Sequence, residues 1–439
     1  MTVPESITRH YAEHVGRQQA VWEAALAAEN FDAAVIHAGS QIISFLDDYH
    51  YPFRPNPHFL SWVPLTRHDE SVLVIEPGKK PVLFFYQPDD YWYLPPRDPD
   101  RWWADHFEVR PVREPGAWRA GMPSGRVAMI GDAPELADED HLNPEDLIDR
   151  IHITRTVKTP YELDCLSEAA RIAAVAHVAT EQAFREGRSE YDIHQAYLAA
   201  AQHEDAQLPY GNIVALNEHG AVLHYQQRQR ENPPERYSFL IDAGATMNAY
   251  CSDITRTYTT REGEFAEMID AMDRMQLGLC NDMRAGVDYG HLHVSTHHRI
   301  SAILEHFGII KVDAEAAVEM GLSSVFFPHG LGHYLGIQTH DVAGRIDNQG
   351  RDLPRPEGHP FLRLTRSMES GNVLTVEPGF YFIDTLLKQW RDKHGPDAIN
   401  WDKVEQFRPY GGIRIEDDIV VTDGEPINLT RAHFAALAA

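Results

Sequence analysis

Apolar and polar positions follow two rhythms along this chain, and the changes of rhythm mark its parts. Up to about residue 25, Ile7, Tyr11, Val15, Val21 and Leu26 recur at helical spacing, which predicts an amphipathic helix. Strand-like runs follow: DAAVIHA from Asp32, SVLVIEP from Ser71, PVLFFY from Pro81 and RVAMIGD from Arg126, with a helical patch around Leu147. They predict an N-terminal mixed α/β domain over residues 1–157. The segment FLDDYHYPFRPNPHF, Phe45 to Phe59, breaks the rhythm. Its aromatics and prolines exclude a long helix and predict a structured loop or an interface arm.

The clearest boundary lies near residue 158. Thr159-Pro160-Tyr161-Glu162 supplies a cap, a proline at the first helical position and an acid at the third, the signature of a capping box. The predicted helix continues to about Arg185 and helicity resumes as EYDIHQAYLAAAQ. After Pro209 the pattern turns strand-like, with SFLID ending at Asp242 and DITRTY starting at Asp253. Helices are expected from about Glu264 to Arg284 and from Tyr289 to Phe307, then strands NVLTVEP from Asn372 and GIRIEDDIVVT from Gly412. The whole predicts an α+β protein with a second domain over residues 158–439. No internal repeat or low-complexity tract interrupts it, and GxxxxGK[ST], GxSxG and GxGxxG are absent.

Charge narrows the function. Of 439 residues, 39 are Lys or Arg and 66 are Asp or Glu, a formal net charge of −27. Such a surface repels phosphate backbones, so no nucleic-acid partner is expected, nor a polybasic membrane anchor. No run of 18 apolar residues predicts a membrane span, and the charged opening does not read as a signal peptide. Cys165, Cys251 and Cys280 form no CxxC pair, which fits a reducing, cytoplasmic compartment. The 25 histidines prompt a search for metal ligands.

Candidate chemistry gathers in the second half. Asp242 ends one apolar strand and Asp253 begins the next, so two carboxylates of a hairpin can face one point. In PHGLGHYLGIQTHD, glycines between His329 and His333 disfavour a regular helix, and His340 follows closely. Glu377 in TVEPG and Glu416 in GGIRIEDD each put an acid on a short apolar strand, where it needs an ion pair or a bound cation. Asp242, Asp253, His333, Glu377 and Glu416 together suggest four carboxylates and one imidazole around two divalent ions. That oxygen-rich set favours Mn2+, with Co2+, Fe2+ or Zn2+ as alternatives, and the chemistry it suggests is metal-assisted hydrolysis.

The order Asp, Asp, His, Glu, Glu in IDAG, SDITRTY, PHGLGHYLGIQTHD, TVEPGFYF and GGIRIEDD resembles the pita-bread metallopeptidases: methionine aminopeptidase, aminopeptidase P and Xaa-Pro dipeptidase. Within that family the likeness is to the bacterial prolidases also known as organophosphorus acid anhydrolases, through FLDDYHYPF, PYGNIVALNE, FFPHGLGH, EGHPFLR and INWDKV. The resemblance implies a pita-bread catalytic domain and hydrolysis of Xaa-Pro dipeptides. It implies that Asp242 binds one metal through both oxygens, that Asp253 and Glu416 bridge the pair, and that His333 and Glu377 complete the second. His329, His340 and His224 would stand near the reacting bond, and Arg414 would orient a carboxylate from the same strand face as Glu416. Tyr210, Leu223 and Tyr289 correspond to pocket-lining positions, and Thr339 stands where such relatives carry valine.

On this reading Glu377 takes and returns the proton, and His340 helps hold the oxyanion. Arg363, in HPFLRLTR, is expected to read the dipeptide's free carboxylate, with Arg366 as the nearest alternative. A homodimer is expected in which Asp48 reaches the partner's site, as is a side activity on organophosphates. Rival readings are a catalytically dead binding module, a non-metal relative such as creatinase, and aminopeptidase P. The first two should lack part of the ligand set, which is complete here.

Overall fold

A computed structural model describes residues 3–132 and 141–438. The chain forms two compact units, one from Met1–Cys165 with Met247–Tyr250 and Asn348–Gly350, the other from the remaining segments. Among the described residues no helix is long and apolar enough to cross a membrane, and the three cysteines are buried and in no disulfide.

The first unit is built on a five-stranded sheet in the order Glu108–Val112, Val82–Tyr86, Val72–Ile75, Ala33–His37, Val127–Ile130. The two outer pairings are parallel and the two inner ones antiparallel. Four of these strands are the apolar runs of the sequence. The fifth, Glu108–Val112, is mostly exposed and lacks their apolar character. Val35, Val74, Phe84, Trp118 and Met129 pack as a core cluster. The helix Glu5–Ala28 buries Ile7, Tyr11, Val15, Trp22 and Leu26. Trp22 rather than Val21 continues the stripe, because steps of three and then four residues lead from position 15 through 18 to 22.

The helix Pro160–Arg185 begins at a true capping box. Thr159 N donates to Glu162 Oε2 at 2.8 Å, and Glu162 N donates back to Thr159 Oγ1 at 3.3 Å.

In the second unit, strands Ile213–Leu216, Phe239–Asp242 and Thr255–Tyr258 form an antiparallel sheet with Phe239–Asp242 in the centre. Strand Val373–Val376 pairs with Asp417–Val420, while Gly379–Tyr381 pairs with Gly412–Arg414. The expected continuous strands are therefore each broken in two. Glu377 and Pro378 on one side, and Ile415 and Glu416 on the other, fall in the break. The break corrects the expectation that both glutamates sit inside strands and that Arg414 shares a strand with Glu416. Helices Glu264–Asn281 and Tyr289–His306 pack on this scaffold, the second capped by the Asp288 carboxylate accepting from His291 N.

Candidate metal centre

The broken strands position the site. In the break, backbone N–H groups bond outside the ladder: Glu377 N donates to Leu331 O, Ile415 N to Pro378 O and Glu416 N to Thr255 O. Glu377 is thereby tied to the His329–His333 loop and Glu416 to the aspartate hairpin. Thr255 pairs with Asp242 in the sheet and also bridges to Glu416. Its hydroxyl donates to Glu416 Oε2 at 2.8 Å. Among the described residues, Asp253, His333 and Glu416 bring ligand atoms within 4.8 Å of one another. Glu377 Oε1 lies 3.7 Å from His333 Nε2, and Asp253 Oδ2 lies 3.5 Å from it.

Asp242 is held from two sides. Arg414 Nη2 donates to its Oδ2 at 2.7 Å, and the Tyr210 hydroxyl meets its Oδ1 at 2.7 Å. The same hydroxyl also contacts Asp253 Oδ1, so one phenol draws the two aspartates together. Arg414 spends its other donors on Tyr381 OH at 2.8 Å and Thr255 Oγ1 at 3.2 Å.

Two imidazoles have their tautomers set by the backbone. Carbonyl oxygens only accept, so His333 Nδ1, 2.9 Å from Tyr334 O, carries a proton. Its Nε2 is thereby aimed at the carboxylates, the arrangement of a metal-ligating histidine with an outer carbonyl. His329 Nδ1 likewise donates to Gly330 O at 2.8 Å, leaving Nε2 to accept from Tyr381 OH at 2.8 Å.

Electrostatics define what this donor set lacks. Burial, then repulsion from Asp253, Glu377 and Asp242, pushes Glu416 well above the carboxylate range. Burial and the neighbouring Asp253 and Asp242 carry Glu377 up to about 7, against the pull of His333 and Arg414. Asp253 is also raised, by burial first. Burial disfavours charge on His333, but Asp253 and Glu377 outweigh it and raise that imidazole. These are the signs of an acid cluster that holds protons where cations belong. Four carboxylates, one correctly oriented imidazole and a single guanidinium fit divalent cations of the hard, oxygen-preferring kind.

The remaining expected residues divide. Leu223 is half-buried against Ile213, Tyr225, Leu240 and Tyr381, while His224, His340 and Arg363 are exposed. The His340 ring stands 4.4 Å from that of His333, edge to face. Partial desolvation, then His333, Arg363 and His224, lowers its pKa. Tyr289 does not line a pocket in this chain: it is fully buried, with its hydroxyl donating to Thr375 O at 2.8 Å. Its place at the start of a core helix turns the ring under Gly332 and Thr375. Arg366 is buried and bonded to Ile346 O and Glu369 Oε1, which removes it as an alternative to Arg363. Asp48 is exposed in the first unit, its N–H on Asp47 Oδ1. Thr339 Oγ1 is buried with no hydrogen-bond partner. Sequence reading overlooks Tyr381, which links Arg414 to His329; its one signal is its position beyond the Glu377 motif.

Fold and site together define a pita-bread metallopeptidase. Residues 164–423 match the model of metallopeptidase family M24, and residues 9–153 match that described as Xaa-Pro dipeptidase, N-terminal domain. The chain belongs to metallopeptidase family M24 and is a hydrolase. It is 49% identical to a Xaa-Pro dipeptidase of Xanthomonas campestris pv. campestris, covering 99% of this chain and 100% of that one. It is 46% identical to a Xaa-Pro dipeptidase of Stenotrophomonas maltophilia, covering 97% of each. Among solved structures, a His-to-Ala variant of Escherichia coli aminopeptidase P matches with a TM-score of 0.71 at 23% identity, over 97% of this chain and 99% of that one. Proline aminopeptidase P II from Yersinia pestis matches with a TM-score of 0.69 at 24% identity, over 97% and 99%. These last two share the fold. Membership of the family implies divalent metal ions.

Proposed function

We propose that this chain cleaves Xaa-Pro dipeptides, the reading carried by one observation: the complete Asp242, Asp253, His333, Glu377, Glu416 donor set in a chain similar over its whole length to Xaa-Pro dipeptidases. Those five residues would hold two divalent ions, with Mn2+ favoured by the oxygen-rich donors, and the ions supply Lewis acidity and a more acidic water. Everything else is done by side chains. The scissile nitrogen belongs to a proline ring and brings no proton of its own, so a group must deliver one as it leaves. Glu377, at the edge of the donor set, would take a proton from water and deliver it to that nitrogen. Tyr210 and Arg414 fix Asp242 and Asp253. His329, neutral and held by Gly330 and Tyr381, and the exposed His340 and His224 would surround the developing negative charge. Arg363, exposed beside His340, would pair with the free carboxylate; Leu223 would contribute to the proline wall.

The test is turnover of a Xaa-Pro dipeptide against a Xaa-Pro tripeptide. Preference for the tripeptide would favour the alternative, aminopeptidase P activity. Asp253→Asn or Glu416→Gln should abolish metal content and turnover together, because an amide replaces two charged oxygens with one neutral acceptor. Normal metal content with normal turnover in either variant would reject the assignment.

Four further features belong to this reading. The division at 157/158 is supported by the capping box at Thr159. A homodimer is supported by the exposed arm, where Phe45 and Leu46 are 87% and 90% exposed beside Asp48; a monomer in sedimentation would remove it. Slow organophosphate hydrolysis follows from the likeness of a tetrahedral P=O centre to the state formed from a carbonyl. Release of nitrophenol above a Glu416→Gln control tests it. Buried thiols in no disulfide support a cytoplasmic location.

A further inference from the structure

A second cluster of possible ligands lies outside the carboxylate centre. His293 and His297 project from one face of the helix Tyr289–His306, and His359 comes from the loop after Pro356. One nitrogen from each lies within 4.8 Å of the others. The three rings approach with centroids 4.5 to 4.8 Å apart, too far out of parallel for a stack. Two of the three are about 1% exposed. Yet His293 Nδ1 and His297 Nε2 are buried with no hydrogen-bond partner. Buried polar atoms are costly when unpaired, and here they converge with a third imidazole.

The geometry points to a separate site for one borderline divalent ion, Zn2+ or a neighbour in its preference for nitrogen, held by His293, His297 and His359. Three features support it. His297 Nδ1 lies 2.9 Å from Ser323 Oγ, a partner able to accept its proton, in which case Nε2 carries the free lone pair. Burial, then neighbouring histidines, pushes His293 down to about 2 and His297 to about 3, so both are neutral and able to ligate. The donors are all nitrogen, without a carboxylate, so the cluster discriminates against Mn2+ and the carboxylate centre does not. Zinc–nitrogen bonds of about 2.0–2.1 Å place tetrahedral ligands roughly 3.4 Å apart. The rings must therefore close on the ion, and His359, half-buried and preceded by Gly358 at φ +83°, sits on the segment with freedom to do so. His329 is not a fourth ligand, since both its nitrogens are engaged with Gly330 and Tyr381. That leaves the fourth position to water.

The experiment is equilibrium dialysis of Mn2+-loaded protein against Zn2+, with both metals counted, and anomalous diffraction at the zinc edge from crystals treated the same way. The wild type should take up one Zn2+ per chain beyond any that replaces Mn2+, and a zinc peak should lie among the three rings. Loss of a ligand in His359→Ala or His297→Phe should weaken uptake roughly tenfold or more. His359→Ala changes a loop residue, so it keeps the test valid if the buried substitution fails to fold. Equal uptake by wild type and His359→Ala, zinc gained only as manganese is lost, or no peak at the cluster would overturn the site. None of these readouts depends on dipeptide cleavage.

Discussion

Tyr381→Phe removes one oxygen from the centre of a buried chain of contacts that runs from Asp242 through Arg414 and Tyr381 to His329 and Gly330. The Tyr381 hydroxyl accepts from a guanidinium and donates to a neutral imidazole. A hydrogen bond to a charged group contributes about 1.5–3 kcal/mol, and a buried acceptor left unpaired costs about 1–3 kcal/mol. Arg414 keeps Asp242 and Thr255, so its loss falls at the low end of that range. His329 keeps only Gly330. The sum is a destabilisation of roughly 2.5–4.5 kcal/mol, toward the lower end because the His329 ring is only part-buried. The assay is urea unfolding at a fixed Mn2+ concentration, because bound metal shifts apparent stability by mass action. Activity should fall as well: a freed His329 ring loses its orientation beside Glu377, and misplacement by about 1 Å can cost on the order of 100-fold. A loss below about 0.5 kcal/mol with wild-type turnover would show that the Arg414–Tyr381–His329 chain does not hold the site.

Other expectations follow from equally local features. Gly332→Ala would place a Cβ 2.2 Å from Thr375 O and 2.4 Å from Tyr289 OH; the loop must shift by about 1 Å, taking His333 with it, and kcat/KM should drop roughly 100-fold. Thermal melting together with metal content checks this, and wild-type values for both would refute it. Arg363→Ala should raise KM for dipeptides at least tenfold, while an unchanged KM would remove Arg363 from substrate binding. Glu190 accepts from Leu216 N, His219 Nδ1, Tyr225 OH and Gln229 N. Glu190→Gln turns an amide against some of these donors and should cost roughly 2–4 kcal/mol. Burial opposes the charge on Glu190, but these bonds outweigh it and lower its pKa; His219 is raised by the same pairing. The depressed acid contributes fully above its unfolded value of about 4.3, and the raised imidazole contributes fully below about 6.5. The wild-type advantage should thus be greatest between about pH 5 and 6.5 and shrink on either side, as pH falls through the folded pKa of Glu190 or rises through that of His219. A pH-independent difference in unfolding midpoint would contradict that assignment.

The donor set was legible because its residues sit in short motifs whose neighbours are apolar, so an acid there stands out. The capping box at Thr159 was legible for a similar reason: its four residues interact with each other and nothing distant. What escaped depends on distant partners. At the breaks the N–H groups of Glu377 and Glu416 bond to Leu331 and Thr255, and alternation in one strand carries no trace of those partners. Tyr289 reads as a pocket residue until the helix that begins there turns it inward. His293 and His297 stand at visible helical spacing, but the third imidazole, His359, arrives from a loop that no local pattern connects to them. Val21 and Trp22 are both apolar, and only the packed face decides between them.

The paired strand breaks also provide built-in reporters. The Glu377 and Glu416 amide protons are protected by carbonyls of Leu331 and Thr255 rather than by their own ladder. Hydrogen exchange at these two positions therefore registers whether the histidine loop and the aspartate hairpin remain docked, while amides at Leu374 and Ile419, paired within the neighbouring sheet, serve as internal references. Stripping cations sets the clustered carboxylates against one another, and the resulting opening would be read as faster exchange at Glu377 and Glu416 before the references change. The same interruption that lets two acids face one point thus makes the integrity of the centre measurable without a substrate.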